Sequence, residues 1–113
     1  MVRKLKSKSA GSSNILKQAQ EMQARMIAVQ EELKSKTVEA SVGGGAVLVQ
    51  VNGQKEVISV KLSEDIIKEA QDDKEMLEDL ILSAVSEAMR QAEELAEKEM
   101  NAVTGGINIP GLI

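Results

Sequence analysis

Apolar residues at Ile15, Ala19, Met22, Met26, Val29 and Leu33 recur at steps of four and three. That heptad rhythm puts them on one narrow stripe and predicts a helix from about Asn14 to about Lys34, about 30 Å long. Ala19, Met26 and Leu33 take position a, and Ile15, Met22 and Val29 take position d. The flanks are polar or singly charged, with Leu16 widening the stripe at its start. A seam of this kind packs on another helix, so any function of the helix lies on its outer face.

From Lys36 the rhythm changes to two. Val38, Ala40 and Val42 alternate with Thr37, Glu39 and Ser41, and Gly43-Gly44-Gly45 breaks the run. Val47, Val49 and Val51 alternate with Leu48 and Gln50 in a second strand. A third runs from Lys55 to Leu62, with Ile58, Val60 and Leu62 on one face. Asn52-Gly53 between the last two predicts a tight hairpin whose two central positions take positive φ. Ser63-Glu64-Asp65 opens a short helical turn around Ile66 and Ile67. Asp72 then caps a long helix, with Glu75 as capping-box partner and acids suited to the positive end of the helix dipole. Its stripe is Leu77, Ile81, Ala84, Val85, Ala88, Ala92, Leu95 and Ala96, ending near Val103. The order predicts an α+β domain, α-β-β-β-α, with a three-stranded antiparallel meander between two long helices. It spans 14–104, behind a disordered basic arm (1–13) and ahead of an apolar tail (105–113) that docks or hangs free.

Composition changes the picture chiefly by exclusion. The 113 residues contain no Cys, His, Phe, Trp or Tyr. The core must therefore come from Val, Ile, Leu, Met and Ala. Disulfides, the usual zinc, iron and copper ligands, and Cys–His or Ser–His–Asp chemistry are all removed. No stretch is apolar enough to span a bilayer, and the reading is of a cytoplasmic protein with no cofactor, metal, membrane or small-molecule substrate. The glycine triplet is followed by a strand, not the helix start that a phosphate cradle needs, and so reads as a strand connection or bulge. The Asp72–Glu75 acids lack the spacing of a calcium loop. A carboxylate-metal enzyme survives only as a residual reading.

The net charge of −4 hides a split. Residues 1–36 carry eight Lys or Arg against three Glu, whereas residues 63–113 carry thirteen acids against four bases. Potential at a polyanion is set within about 8–10 Å, so this local imbalance matters more than the total. Arg3, Lys4, Lys6 and Lys8 form either a phosphate-contacting arm or a merely solvated terminus. A six-residue strand spans about 20 Å and a thirty-residue helix about 45 Å, so the small sheet cannot cover the helices over their length. Bare sheet is a liability that a second copy removes. The expectation is a homodimer joined through the sheet, by Val47, Val49, Val51, Ile58 and Val60, with helical arms projecting.

Four stretches carry a family resemblance. They are Leu16-Lys17-Gln18-Ala19-Gln20-Glu21-Met22-Gln23, the run Gly43 to Glu56, Asp72-Asp73-Lys74-Glu75-Met76-Leu77-Glu78-Asp79-Leu80, and Thr104-Gly105-Gly106-Ile107-Asn108-Ile109-Pro110-Gly111. Together, over residues 14–113, the chain resembles the YbaB/EbfC family of bacterial nucleoid-associated proteins. The resemblance implies a non-catalytic, tweezer-shaped homodimer that binds DNA and associates with the nucleoid. It also implies DNA contact through the helical arms, carried over here to Lys17 and Arg25, with Arg90 and Lys98 as weaker candidates among acids. The amino end departs from the Gly/Met/Phe-rich start common in the family. In a plastid-bearing lineage, where the protein would sit in the stroma, part of residues 1–13 would be left from an import segment.

Independently of the resemblance, the absence of aromatic residues argues against stacking on single-stranded bases, and groove-reading side chains are scarce. The resemblance, together with the basic front end, implies duplex DNA bound mainly through phosphates, with little base readout. The rival is a protein-interaction adaptor whose arms and apolar tail bind a partner protein.

Overall fold

The computed structural model describes the backbone of residues 2–104 and the side chains of residues 13–103. The elements are α1 (Val2–Ser35), β1 (Thr37–Val42), β2 (Val47–Asn52), β3 (Val57–Leu62), α2 (Glu64–Ala70) and α3 (Lys74–Thr104). The strands form one antiparallel sheet in the order β1-β2-β3, with Ala40 opposite Val49 and Val49 opposite Val60. The α-β-β-β-α order and the α+β class are as the periodicity predicts, α2 being the short turn around Ile66 and Ile67.

The core is a valine strand under an alanine helix. Val47, Val49 and Val51 on β2 and Ala84, Ala88 and Ala92 on α3 are wholly buried. Alanines every fourth residue let the helix lie close to the sheet, and the β2 valines fill the space left. Val47, Val49 and Val51 are therefore intrachain core, not dimer contacts, because α3 already covers them. α3 lies mainly across β1 and β2, and at the β3 edge Leu62 alone of its apolar residues is half-buried against the core while Val57, Ile58 and Val60 are exposed. The reverse face of the sheet carries Glu39, Ser41, Gln50, Ser59 and Lys61 around a half-buried Leu48.

Three local expectations are corrected. First, α1 is helical from Val2, whereas a disordered arm was expected over 1–13. Lys, Arg, Leu and Ala dominate residues 2–10 and extend a helix already nucleated downstream at small cost per residue. Second, the β2–β3 connection is not a two-residue turn with positive φ at Asn52 and Gly53. Lys55 N–H donates to the Asn52 carbonyl at 3.0 Å, and Lys55 alone in this loop takes positive φ, at 65°. This is a turn followed by a left-handed residue, the common three-residue hairpin. Gly53 serves another need, since a Cβ there would stand 2.7 Å from the Leu33 carbonyl oxygen. Third, Asp73 caps α3, accepting from Met76 N–H at 3.1 Å. Asp72 is committed to the turn behind it, where its N–H donates to the Glu69 carbonyl.

The glycine triplet is a turn between β1 and β2 with φ of 65°, 67° and 92° at Gly43, Gly44 and Gly45. Ser63 caps α2, its hydroxyl accepting from Ile66 N–H at 3.2 Å.

Candidate nucleic-acid interface

α1 enters the sheet at Lys36, and α3 leaves it beyond Ala92, so the two helices run antiparallel past the edge of the sheet. Their contact uses the carboxyl half of the heptad seam. Leu33 is buried and Val29, Met26 and Met22 are half-buried, facing half-buried Leu95, Ala96, Met100 and Val103. Towards the amino end this cover gives out: Ala19 is exposed, and Ile15 and Leu16 are 69% and 60% exposed. α1, about 50 Å long at 1.5 Å per residue, thus overhangs α3 and stretches the molecule to 81 Å.

A polar clamp fixes where this arm points. Asn52, 2% exposed, donates from Nδ2 to the Lys34 carbonyl at 3.2 Å and to Glu56 Oε1 at 2.8 Å. Its Oδ1 accepts from Gln54 and Glu56 N–H at 3.0 and 2.9 Å. Gly53 N–H donates to the Leu33 and Lys36 carbonyls at 2.8 and 2.9 Å, the Leu33 oxygen also accepting from Lys36 N–H at 3.3 Å. Gln54 Nε2 reaches the Gln30 carbonyl at 2.7 Å. Together these bonds tie the β2–β3 hairpin to the last turns of the helix.

The cations divide into paired and unpaired. Lys36 pairs with Glu99, and that hydrogen bond raises the Lys36 ammonium pKa above its usual value. Lys55 pairs with Glu93 at 2.9 Å. Arg90 is held on both sides, by Glu87 at 2.5 Å and by Glu94. Hydrogen bonding to Glu87, then the charges of both acids, raises the guanidinium pKa, and the same bond, helped by Gln91, holds the Glu87 carboxyl below its usual range. Arg90, a weaker DNA-contact candidate in the sequence, is thus exposed but paired with acids on both sides. Lys17 and Arg25 are exposed and make no hydrogen bond or ion pair among the described residues. The Lys34 ammonium is also exposed and unpaired among the described residues; sequence reading missed it as a candidate because it sits beyond the motif stretches, and its freedom becomes visible only once the α3 acids are placed. Lys98 is exposed on the acid-rich helix. The side chains of Arg3, Lys4, Lys6 and Lys8, and the whole of 105–113, lie outside the described residues.

A second surface feature sits at the β3 edge. Val57, Ile58 and Val60 are exposed, Ile58 at 53% and Val60 at 45%. Ile58 is the extra residue of a bulge, since Val51 faces Val57 and Gln50 faces Ser59. Leu82, 65% exposed, lies three turns before Glu93 on the same face of α3. Because Glu93 reaches Lys55 at the entry to β3, Leu82 stands on the β3 flank. Half-buried Val85 and Met89 lie between, and the patch is apolar and continuous with the core. Ile58 and Val60 thus remain candidate dimer contacts, whereas the three β2 valines do not.

Among the described residues no helix is long and apolar enough to cross a membrane, and no cluster of acids could hold a metal ion.

An α+β scaffold whose projecting helix carries Lys17 and Arg25 exposed and unpaired, with Glu21 between them, presents cations to a polyanion. The chain belongs to the YbaB/EbfC DNA-binding family, whose sequence profile matches residues 9–107. It is 54% identical over 100 residues to a nucleoid-associated protein of Alkaliphilus metalliredigens, covering 88% of this chain and 86% of that one. A nucleoid-associated protein of Thermoanaerobacter pseudethanolicus is 51% identical, with 88% of each chain covered. The crystal structure of an uncharacterized protein from Helicobacter pylori shares the fold, with a TM-score of 0.67 at 22% identity over 76% of this chain and 88% of that one. Both named relatives are bacterial, and nothing supports an import segment.

Proposed function

We propose that this protein is a nucleoid-associated protein that binds duplex DNA as a homodimer, through phosphate contacts made by α1. The observation that carries the reading is that Lys17 and Arg25 are unpaired on a helix that outruns the acidic α3. The part of α1 before Met22, Lys17 included, runs on about 30 Å beyond the helix pair, its far end several Debye lengths from the carboxylates that neutralise Lys36, Lys55 and Arg90, whereas Arg25 lies beside the end of α3 between half-buried Met22 and Met26. The family and the names of the relatives support a nucleoid location. Pairing of two copies through Val57, Ile58, Val60 and Leu82 would hide the apolar β3 edge and set two basic arms on one body.

Binding of this kind releases counterions in proportion to the phosphates neutralised. With about four phosphates per subunit, log K against log salt falls with a slope near −7 for a dimer. Titration of natural and shuffled duplexes at several salt concentrations tests this. Similar affinities with a steep slope are expected; a flat salt response would refute the phosphate reading, and a strong preference for one duplex would refute the lack of base readout.

A further inference from the structure

The amino half of the α1 seam is an apolar stripe without a partner among the described residues, and it continues without a break from the buried α1–α3 contact. Met22 is half-buried, whereas Ala19, Ile15 and Leu16 stand exposed. α3, the element that covers the seam, ends at Thr104 with Val103 still half-buried. The next nine residues, 105–113, read Gly-Gly-Ile-Asn-Ile-Pro-Gly-Leu-Ile, with no charged side chain.

We propose that residues 105–113 dock along the amino half of α1 in the same chain, with Ile107 and Ile109 occupying the stripe at Ala19 and Ile15. The length fits. From Met22 to Ile15 the helix rises about 10 Å, and nine extended residues reach about 30 Å. The spacing fits as well. In an extended strand Ile107 and Ile109 point to the same side, about 6.6 Å apart, and the a and d positions of α1 are 4.5–6 Å apart along the axis. The direction is set by α3, which is already travelling along α1 towards its amino end when it stops. Gly105-Gly106 and Pro110 oppose continuation of the helix, which suits a strap rather than a third helix. Docking of this kind leaves Lys17, at the outward position f, uncovered. It is independent of DNA binding and of the dimer contact at β3.

The test uses the full chain with Ile107→Ser and Ile109→Ser together. Amide hydrogen exchange over residues 15–22 is expected to rise about tenfold in this variant, with the β-strand amides unchanged. Unchanged exchange over 15–22 would overturn the proposal. A second measurement exploits the absence of native cysteine. In the Ala19→Cys, Ile107→Cys variant, with Ile109 retained as an anchor, mild oxidation is expected to give a disulfide within one chain, because both positions face the same seam. In the Ala24→Cys, Ile107→Cys control, with Ala24 on the outer face, it is expected not to. A disulfide joining two chains would assign the seam to a second copy's tail, and no disulfide would leave the stripe uncovered; either result overturns the docking.

Discussion

Single residues at the base of the arm decide its geometry. Gly53 is required by close approach rather than by turn conformation: a methyl group there meets the Leu33 carbonyl at 2.7 Å and the Leu33 Cβ at 2.8 Å. Gly53→Ala must push the hairpin off α1, and a loss of about 2 kcal/mol is expected in urea unfolding, on the scale of other overpacked sites. Gly44 offers the contrast, since nothing lies within 4 Å of a Cβ at that position. Gly44→Ala should cost only the strain of its positive φ, about 1 kcal/mol. Asn52-Gly53 was legible as a hairpin, because the pair sits between two period-two runs. Its tertiary role was not, because Leu33 is twenty positions away and no local pattern connects them. The same holds for Asp72 and Asp73, both competent caps, where the turn closing α2 decides between them. At Glu87 the sign of the pH effect follows from the lowered carboxyl pKa. The Arg90 pairing supports the folded helix at and above the ordinary carboxylate range and is lost as pH falls through the depressed value. A carboxyl NMR titration of Glu87 should show a midpoint below the ordinary value of about 4.3, returning towards it in Arg90→Ala.

Among the elements, the helices show what periodicity captures and what it misses. The α3 stripe gave the core face of that helix, with Ala84, Ala88 and Ala92 fully buried, because burial on one face imposes a 3.6-residue period. The α1 seam gave the packing face but not its extent, since a heptad does not say how far its partner runs. Nor does periodicity assign charge. Arg25 has Glu21 one turn before it and makes no ion pair with it, whereas Arg90 has Glu87 and Glu94 one turn away on both sides and pairs with both, so the pairing of Arg90 was readable in the sequence. The freedom of Arg25 depends on where α3 ends and was not. Under the phosphate-binding reading, Arg90→Ala leaves DNA affinity within about twofold of the parent. Lys17→Ala and Arg25→Ala each lower the salt slope by about 1 per subunit, hence about 2 per dimer. Fluorescence anisotropy at three or more salt concentrations separates the two behaviours, and an equal loss from all three variants would contradict the assignment.

For the whole molecule, the charge split along the chain becomes a separation in space only because α1 outruns α3. The sequence gradient was plain, but the overhang that makes it effective is a tertiary fact. A contact between copies was expected through β2 and β3 alike, whereas the β2 valines are buried and the exposed apolar sheet lies at the β3 edge beside Leu82. Alternation along one strand shows that a face is apolar without showing which strands a single helix can span, and α3 covers mainly β1 and β2. This relocation makes the dimer testable without touching the core. Val60→Asp with Ile58→Asp places charge on side chains that are already about half exposed, so the fold should persist while pairing is lost, giving a monomer by light scattering at micromolar concentration. If two arms grip one duplex, that monomer neutralises half as many phosphates. Its salt slope should fall from near −7 to about −3.5, with affinity lost far beyond a factor of two, because the second arm no longer binds at high effective concentration. A monomer that kept the full slope would mean that one arm carries all of the binding, and the two-armed reading would then fail even though α1 remained the DNA-contacting element.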